Sequence, residues 1–259
     1  MGGTARMVAG FVEFEFDLPD ALLNSLIGVL DNMQNAPLLP GEVGAIPDAQ
    51  GVYQLSLNDQ VVYIGKTDAE AGLKRRLERH SHTIQHRKNL NPAHVRFKAV
   101  RVFVFTAIDL ETQLIRHYGA KGPVPWNKSG FGSNDPGRNR DATEMKPEGF
   151  DSLYQIDIDR NVDLDFSQVK TVADAFRLLR EILPYTFRFE TLGRGGRQPH
   201  PELHGAKIQL QQKQYTTRTL IETVMAHLPK GWQATELAGR VILYREMHEY
   251  PYGSVIARS

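Results

Sequence analysis

Gly51-Val52-Tyr53-Gln54-Leu55-Ser56-Leu57, then Asn58-Asp59-Gln60, then Val61-Val62-Tyr63-Ile64-Gly65-Lys66-Thr67 is the stretch that decides the fold of this chain. Val52–Leu57 and Val61–Ile64 are rich in β-branched and aromatic residues and flank a polar turn, so they read as a hairpin. The turn length decides what the hairpin presents. A three-residue loop puts Leu57 opposite Val61 and Leu55 opposite Tyr63, which sets Tyr53 and Tyr63 on one face a diagonal step apart. A two-residue loop puts the two tyrosines on opposite faces.

Working outward, Gly72 to about Lys88 predicts a helix with Leu73, Leu77 and Ile84 on one stripe. His80 shares that stripe, and Arg76 lies one turn before it. Val95–Phe105 predicts a long strand, and Leu110–Tyr118 a helix with Glu111 on the face of Leu114, Ile115 and Tyr118. Lys121–Asp141 is rich in Gly, Pro and Asn and predicts a loop. On the N-terminal side, Leu18–Met33 has helical spacing of apolar residues, and Asn35–Asp48 predicts a loop. After Asp141 the texture changes to strands at Leu153–Ile158, Tyr185–Glu190, Ala206–Leu210, Gly231–Thr235 and Arg240–Arg245. Helices are expected at Val172–Leu183, with a capping box of Thr171 and Asp174, and at Thr219–Leu228. The expected class is α+β: residues 1–48 an N-terminal helix and loop, 49–141 a core, and 142–259 a C-terminal α+β extension.

The 259 residues suffice for one large domain or two small ones, and 41% hydrophobic with 24% charged content is ordinary for a globular protein. There is no cysteine, which removes disulfides, thiolate catalysis and cysteine-held zinc. No apolar run has the length of a membrane span, so no membrane partner is expected. No secretory signal is legible in residues 1–16, so the expected location is the cytoplasm. The net charge of +1 conceals an uneven distribution. Residues 66–101 hold ten Lys/Arg against three acids, whereas 141–166 hold eight acids against two basic residues. The basic block reads as a footprint for a nucleic acid backbone or as a solvated, charge-rich helix.

The residue types fit hydrolysis of a phosphodiester, which needs an activated water, neutralised phosphoryl oxygens and a stabilised leaving oxygen. Glu111 reads as a ligand for one Mg²⁺, or as a first-turn glutamate favoured by the helix dipole, with Asp109 as the cap. Arg76 reads as a phosphate clamp or as one surface arginine in a basic cluster. His80 has the range for proton transfer, or is a satisfied core histidine. Tyr53 and Tyr63 suit half-buried strands, and either could serve as a base near Lys66 or a metal only with a much lowered pKa. Asn127 could hold a phosphate or the waters of a metal, or sit in a turn.

In order and spacing these residues resemble the GIY-YIG nuclease superfamily. Gly51-Val52-Tyr53 stands for the first motif, with Val in place of Ile, and Tyr63-Ile64-Gly65 followed by Lys66-Thr67 for the second. Arg76 before Leu77 corresponds to the helix arginine of the family, Glu111 to its metal-binding glutamate and Asn127 to its C-terminal asparagine, after a rather long interval. The resemblance implies a small mixed sheet flanked by helices, with Tyr53, Tyr63, Lys66, Arg76, His80, Glu111 and Asn127 catalytic.

His80 after Arg76, and the loop Asn127-Lys128-Ser129-Gly130-Phe131-Gly132-Ser133-Asn134-Asp135-Pro136-Gly137-Arg138-Asn139-Arg140-Asp141, resemble the restriction-endonuclease branch. That implies a type II enzyme of restriction–modification, cutting both strands of duplex DNA at a short palindrome with one Mg²⁺ per site. It also implies a homodimer or dimer of dimers, with the N-terminal helix and C-terminal half serving recognition or dimerisation. Arg75, Arg79, Lys128, Ser129, Asn134, Arg138 and Arg140 are the expected DNA contacts. The alternative is a DNA-binding or repair nuclease of the same superfamily; a homing nuclease would need a long basic linker and a separate recognition module.

Overall fold

The computed structural model describes residues 10–11, 17–67, 71–103, 109–133, 135, 137–193, 196–210 and 214–259, except the Arg140 side chain. Val104 and Phe105, the expected end of a strand, lie outside these residues, as does Asn134. The fold is α+β, built on two four-stranded sheets.

The first sheet has the order β1 (Ala36–Pro37), β4 (Val95–Arg101), β2 (Gly51–Leu57), β3 (Gln60–Thr67). The resemblance implied a mixed sheet; every pairing here is antiparallel. The hairpin resolves its two readings in a third way. Only Asn58 and Asp59 form the turn, both with positive φ (50° and 65°), as the twist of a tight hairpin requires. Leu57 then pairs with Gln60 and Ser56 with Val61, but Leu55 pairs with Tyr63, so Val62 is a bulge. The bulge offsets the short loop and returns Tyr53 and Tyr63 to one face.

That face carries Tyr53, Leu55, Val95 and Phe97, covered by α3 (Leu73–Thr83), Trp126, Phe131 and Phe150. The opposite face carries Val52 and Ile64 under α1 (Leu18–Asn32) and α4 (Leu110–Lys121). From Leu18 onward the N-terminal segment therefore packs into the first half of the molecule. Leu26 and Leu30 are buried against α4, Tyr118 Oη donates to Asp31 at 2.7 Å, and Lys98 Nζ donates to the Leu30 carbonyl at 2.6 Å. The expected loop at 35–48 also contains β1 and a short helix, α2 (Pro40–Val43).

The second sheet has the order β10 (Gly253–Arg258), β8 (Gln233–Leu237), β9 (Arg240–Tyr244), β6 (Thr186–Phe189), with β6 and β9 parallel. Its helices are α6 (Val172–Ile182), with the expected capping box, and α8 (Thr217–Met225). They bury a separate core around Phe176, Leu179, Ile221 and Trp232. Two expected strands are absent. Residues 153–158 follow a short helix, α5 (Phe150–Leu153), and contribute one bridge, Ile156 to Arg87; Lys207 makes one bridge to Thr171. Strand β10 was not anticipated, nor were the short helix α7 (Pro201–Gly205) and the two-stranded sheet of β5 (Asn161–Asp163) and β7 (Gln214–Thr216). No helix among the described residues is long and apolar enough to cross a membrane.

The C-terminal half is joined to the first by ionic and backbone contacts. Arg87 bonds Asp151 and the Tyr154 carbonyl, Lys88 N–H donates to Gln155, and Asp157 N–H donates to His86. Arg188 reaches from β6 to Asp135 and to Asp141, at 2.6 Å from the latter.

Candidate active site

Tyr53 lies across the hairpin because its opposite residue is Gly65. A Cβ on Gly65 would come within 2.5 Å of the Tyr53 hydroxyl, so only glycine leaves room for the ring. The hydroxyl then meets His80 Nε2 at 2.8 Å, in a bond buried from solvent. His80 comes from the buried stripe of α3, beside Leu73 and Leu77. Its ring stacks on Phe131 at 4.7 Å and stands edge-on to Tyr63 at 5.3 Å. Gly132, at φ +68°, lets the loop close over that ring, because a Cβ there would meet His80 Cε1 at 2.7 Å.

Burial sets the protonation of this cluster. His80 is pushed down to about 3, first by burial and then by the charges of Arg79 and Arg76, so it is neutral at physiological pH. Tyr53 is pushed far up by burial, an effect to which Tyr63 adds and which Arg76 opposes. Tyr63 is raised by burial as well, and less of it is enclosed. Nδ1 of His80 and Nε of Arg76 are both buried without a hydrogen-bond partner among the described residues.

Glu111 sits in the first turn of α4, whose cap Asp109 accepts from Thr112 N–H and from Lys66 Nζ, the latter at 2.9 Å. Asp109 is held near 2 by Thr112 and Lys66, and Lys66 is raised by the same contact. Glu111 is half-buried and raised by desolvation, which Lys66 and Arg76 offset only in part. A carboxylate so placed fits a hard divalent cation, which would remove the desolvation penalty. Tyr53, Tyr63 and His80 are in contact, and the charge of Arg76 acts on all three and on Glu111.

Other expected site residues do different work. Asn127 is engaged with the backbone of Ile64: Oδ1 accepts from its N–H at 3.0 Å and Nδ2 donates to its carbonyl at 2.8 Å. Because β3 is an edge strand, this side chain acts as a further strand partner and is turned away from the role of phosphate or metal ligand. Lys66 faces Asp109 and so anchors α4. Ser129 is a turn residue, its Oγ donating to the Trp126 carbonyl at 2.7 Å.

Among the expected DNA contacts, Arg138 is the most fully engaged within the protein. It lies over the Tyr244 ring at 4.0 Å and pairs with Glu190 and Glu246, which makes it a clasp between the halves. Arg75 bonds Asp48 at 2.7 Å. Arg79 donates to the neutral carbonyl of Ser133, and Lys128 is exposed at φ +63°; both can still face an anion. Arg140 belongs to the short 3₁₀ turn Arg138–Arg140. Phe131, which walls His80, was quoted only as part of a loop; an aromatic between two glycines was its one signal.

No protein-family model matches this sequence, and no curated protein matches it.

Proposed function

We propose that this chain is a Mg²⁺-dependent endonuclease that cuts duplex DNA, of the restriction type implied by the resemblance to GIY-YIG nucleases. The observation that carries the reading is the buried Tyr53–His80 hydrogen bond set beside Arg76 and Glu111. A tyrosine raised by burial is a poor base alone. Linked to a neutral imidazole it becomes a relay: Tyr53 takes a proton from the attacking water as its own hydroxyl proton passes to His80 Nε2. A phosphodiester beside Arg76 and Arg79 would also offset the smaller, cationic part of the effect that holds His80 low, burial being the larger part.

Arg76 is suited to bind the non-bridging oxygens, its buried Nε lacking any other partner. Glu111 would hold the cation, and when bound that ion supplies charge stabilisation at the leaving oxygen. Tyr63, less enclosed than Tyr53, faces the same substrate volume. A twofold dimer is the simplest route to cutting both strands of a palindrome, since each chain supplies one such cluster. The test is plasmid cleavage with Mg²⁺ against EDTA, followed by fragment analysis on a long duplex. Discrete Mg²⁺-dependent fragments support the restriction reading; nicking without discrete fragments favours a repair-type nuclease, and binding without cleavage ends the enzymatic reading.

A further inference from the structure

A groove of about 580 Å³ separates the second half of α3 and the Phe131 loop from the end of α6, the start of β6 and the β8–β9 turn. It lies beside the candidate active site, because Arg79 lines it while its charge acts on Tyr63 and His80. Its charges do not balance. Asp135 is paired with Arg188, and Asp151 with Arg87. Arg79 has a neutral carbonyl as its hydrogen-bond partner. Arg180 is exposed and rests on the face of Phe189 at 4.9 Å. Arg188 is shared between Asp135 and Asp141, and Arg240 has Nη1 3.6 Å from Asp141, so these two arginines balance the two carboxylates and the excess lies in Arg79 and Arg180 against Glu181. Glu181, exposed beside Arg180, is the one lining acid for which no cation stands opposite among the described residues.

We infer that this groove is a phosphodiester-binding channel that carries the DNA strand away from the cleavage site, with Arg180 of the C-terminal half gripping it opposite Arg79. The inference rests on the nuclease reading. Continuity selects the occupant: Arg79 follows Arg76 by one helical turn, so a strand whose scissile phosphate meets Arg76 continues along α3 into the groove. Guanidinium groups converging from two sides suit bidentate contact with successive phosphates. These contacts carry no base information, and so any duplex serves as probe.

The test measures binding of a duplex fragment in EDTA across a salt series. Arg180→Gln should weaken binding by roughly 5- to 10-fold at ~0.1 M salt and lower the slope of log K against log salt by about 1. Glu181→Gln should act in the opposite sense and tighten binding by about 2- to 5-fold, an outcome that structural damage does not produce. Lys230→Gln, outside the groove, should change neither quantity. Wild-type binding with unchanged affinity in both Arg180→Gln and Glu181→Gln overturns the channel alone, as does an equal loss in Lys230→Gln. A wild-type protein that binds no duplex overturns the channel and the nuclease reading together.

Discussion

The two halves of the molecule treat buried polar groups in opposite ways. In the C-terminal half they are paired, with Nε of Arg240 the one exception among the described residues: Tyr185 Oη donates to Thr217 at 2.8 Å, Trp232 Nε1 to Glu202 at 2.8 Å, and Gln233 Nε2 to Thr235 at 3.0 Å. In the first half, α3 buries His80 Nδ1 and Arg76 Nε without partners, and α4 half-buries a carboxylate that its surroundings do not neutralise. Leaving such groups unmatched costs stability. A fold whose local choices otherwise agree tolerates the conflict where a ligand is expected to resolve it. On the proposed reading, the second half is arranged for stability and the first for chemistry. Substitutions at the site should remove rate with little loss of stability, while substitutions in the supporting half should do the reverse.

Glu111→Ala gives the largest expected effect. Mg²⁺-dependent cleavage should disappear, duplex binding should persist through the basic residues, and the melting temperature should be no lower than in the wild type. Retained cleavage within about tenfold removes Glu111 from the site, that margin being small beside the several kcal/mol a catalytic cation supplies. Tyr53→Phe comes next. It keeps the ring and removes the hydroxyl, with an expected single-turnover loss of at least about 10²-fold, the scale of general acid–base catalysis. A near-normal rate would return Tyr53 to the status of a core residue and erase the contrast between the halves.

Arg188→Met tests the other side. Its guanidinium serves Asp135 and Asp141 at once, and truncation strands Asp135 and leaves Asp141 with Tyr244 and Arg240 alone, so roughly 3 kcal/mol of stability should be lost in denaturant melts. Unchanged stability would show that the ionic seam contributes little. The last prediction concerns acid. The unfolded chain protonates His80 near its ordinary value of 6.5, whereas the fold resists until about 3. Between those values the unfolded state binds more protons, so stability is full above about pH 6.5 and declines as pH falls toward 3. His80→Gln should flatten that part of the stability curve. An identical acid dependence in the variant would exclude His80 as its source.

The parts legible in the sequence were those set by short-range pattern. The hairpin, α3, α4 and the capped α6 follow from periodicity and caps, and Tyr53, Arg76, His80 and Glu111 came together from their order along the chain. What stayed hidden depends on partners distant in sequence. Asn127 carries the polarity of a ligand, but the free edge of β3 claims both ends of its amide. Arg138 looks like a DNA contact until Glu190, Glu246 and Tyr244, 52 to 108 residues away, are brought to it. Residues 153–158 have strand composition without a neighbouring strand to complete a ladder. In each case the deciding atom belongs to an element whose position the local pattern does not encode.

The extra residue at Val62 has one more consequence, best put as arithmetic. Side chains on a strand alternate with a parity of two, so face is a matter of odd or even count between turn and tyrosine. The turn of this hairpin leaves that count wrong by one, and the bulge corrects it. The meeting of Tyr63 with Tyr53 and His80 is therefore insensitive to the identity of the residue at 62 but not to its presence. Any side chain that a bulge accepts preserves the sum, whereas deleting one residue inverts the strand beyond it and sends Tyr63 to the side of α1 and α4.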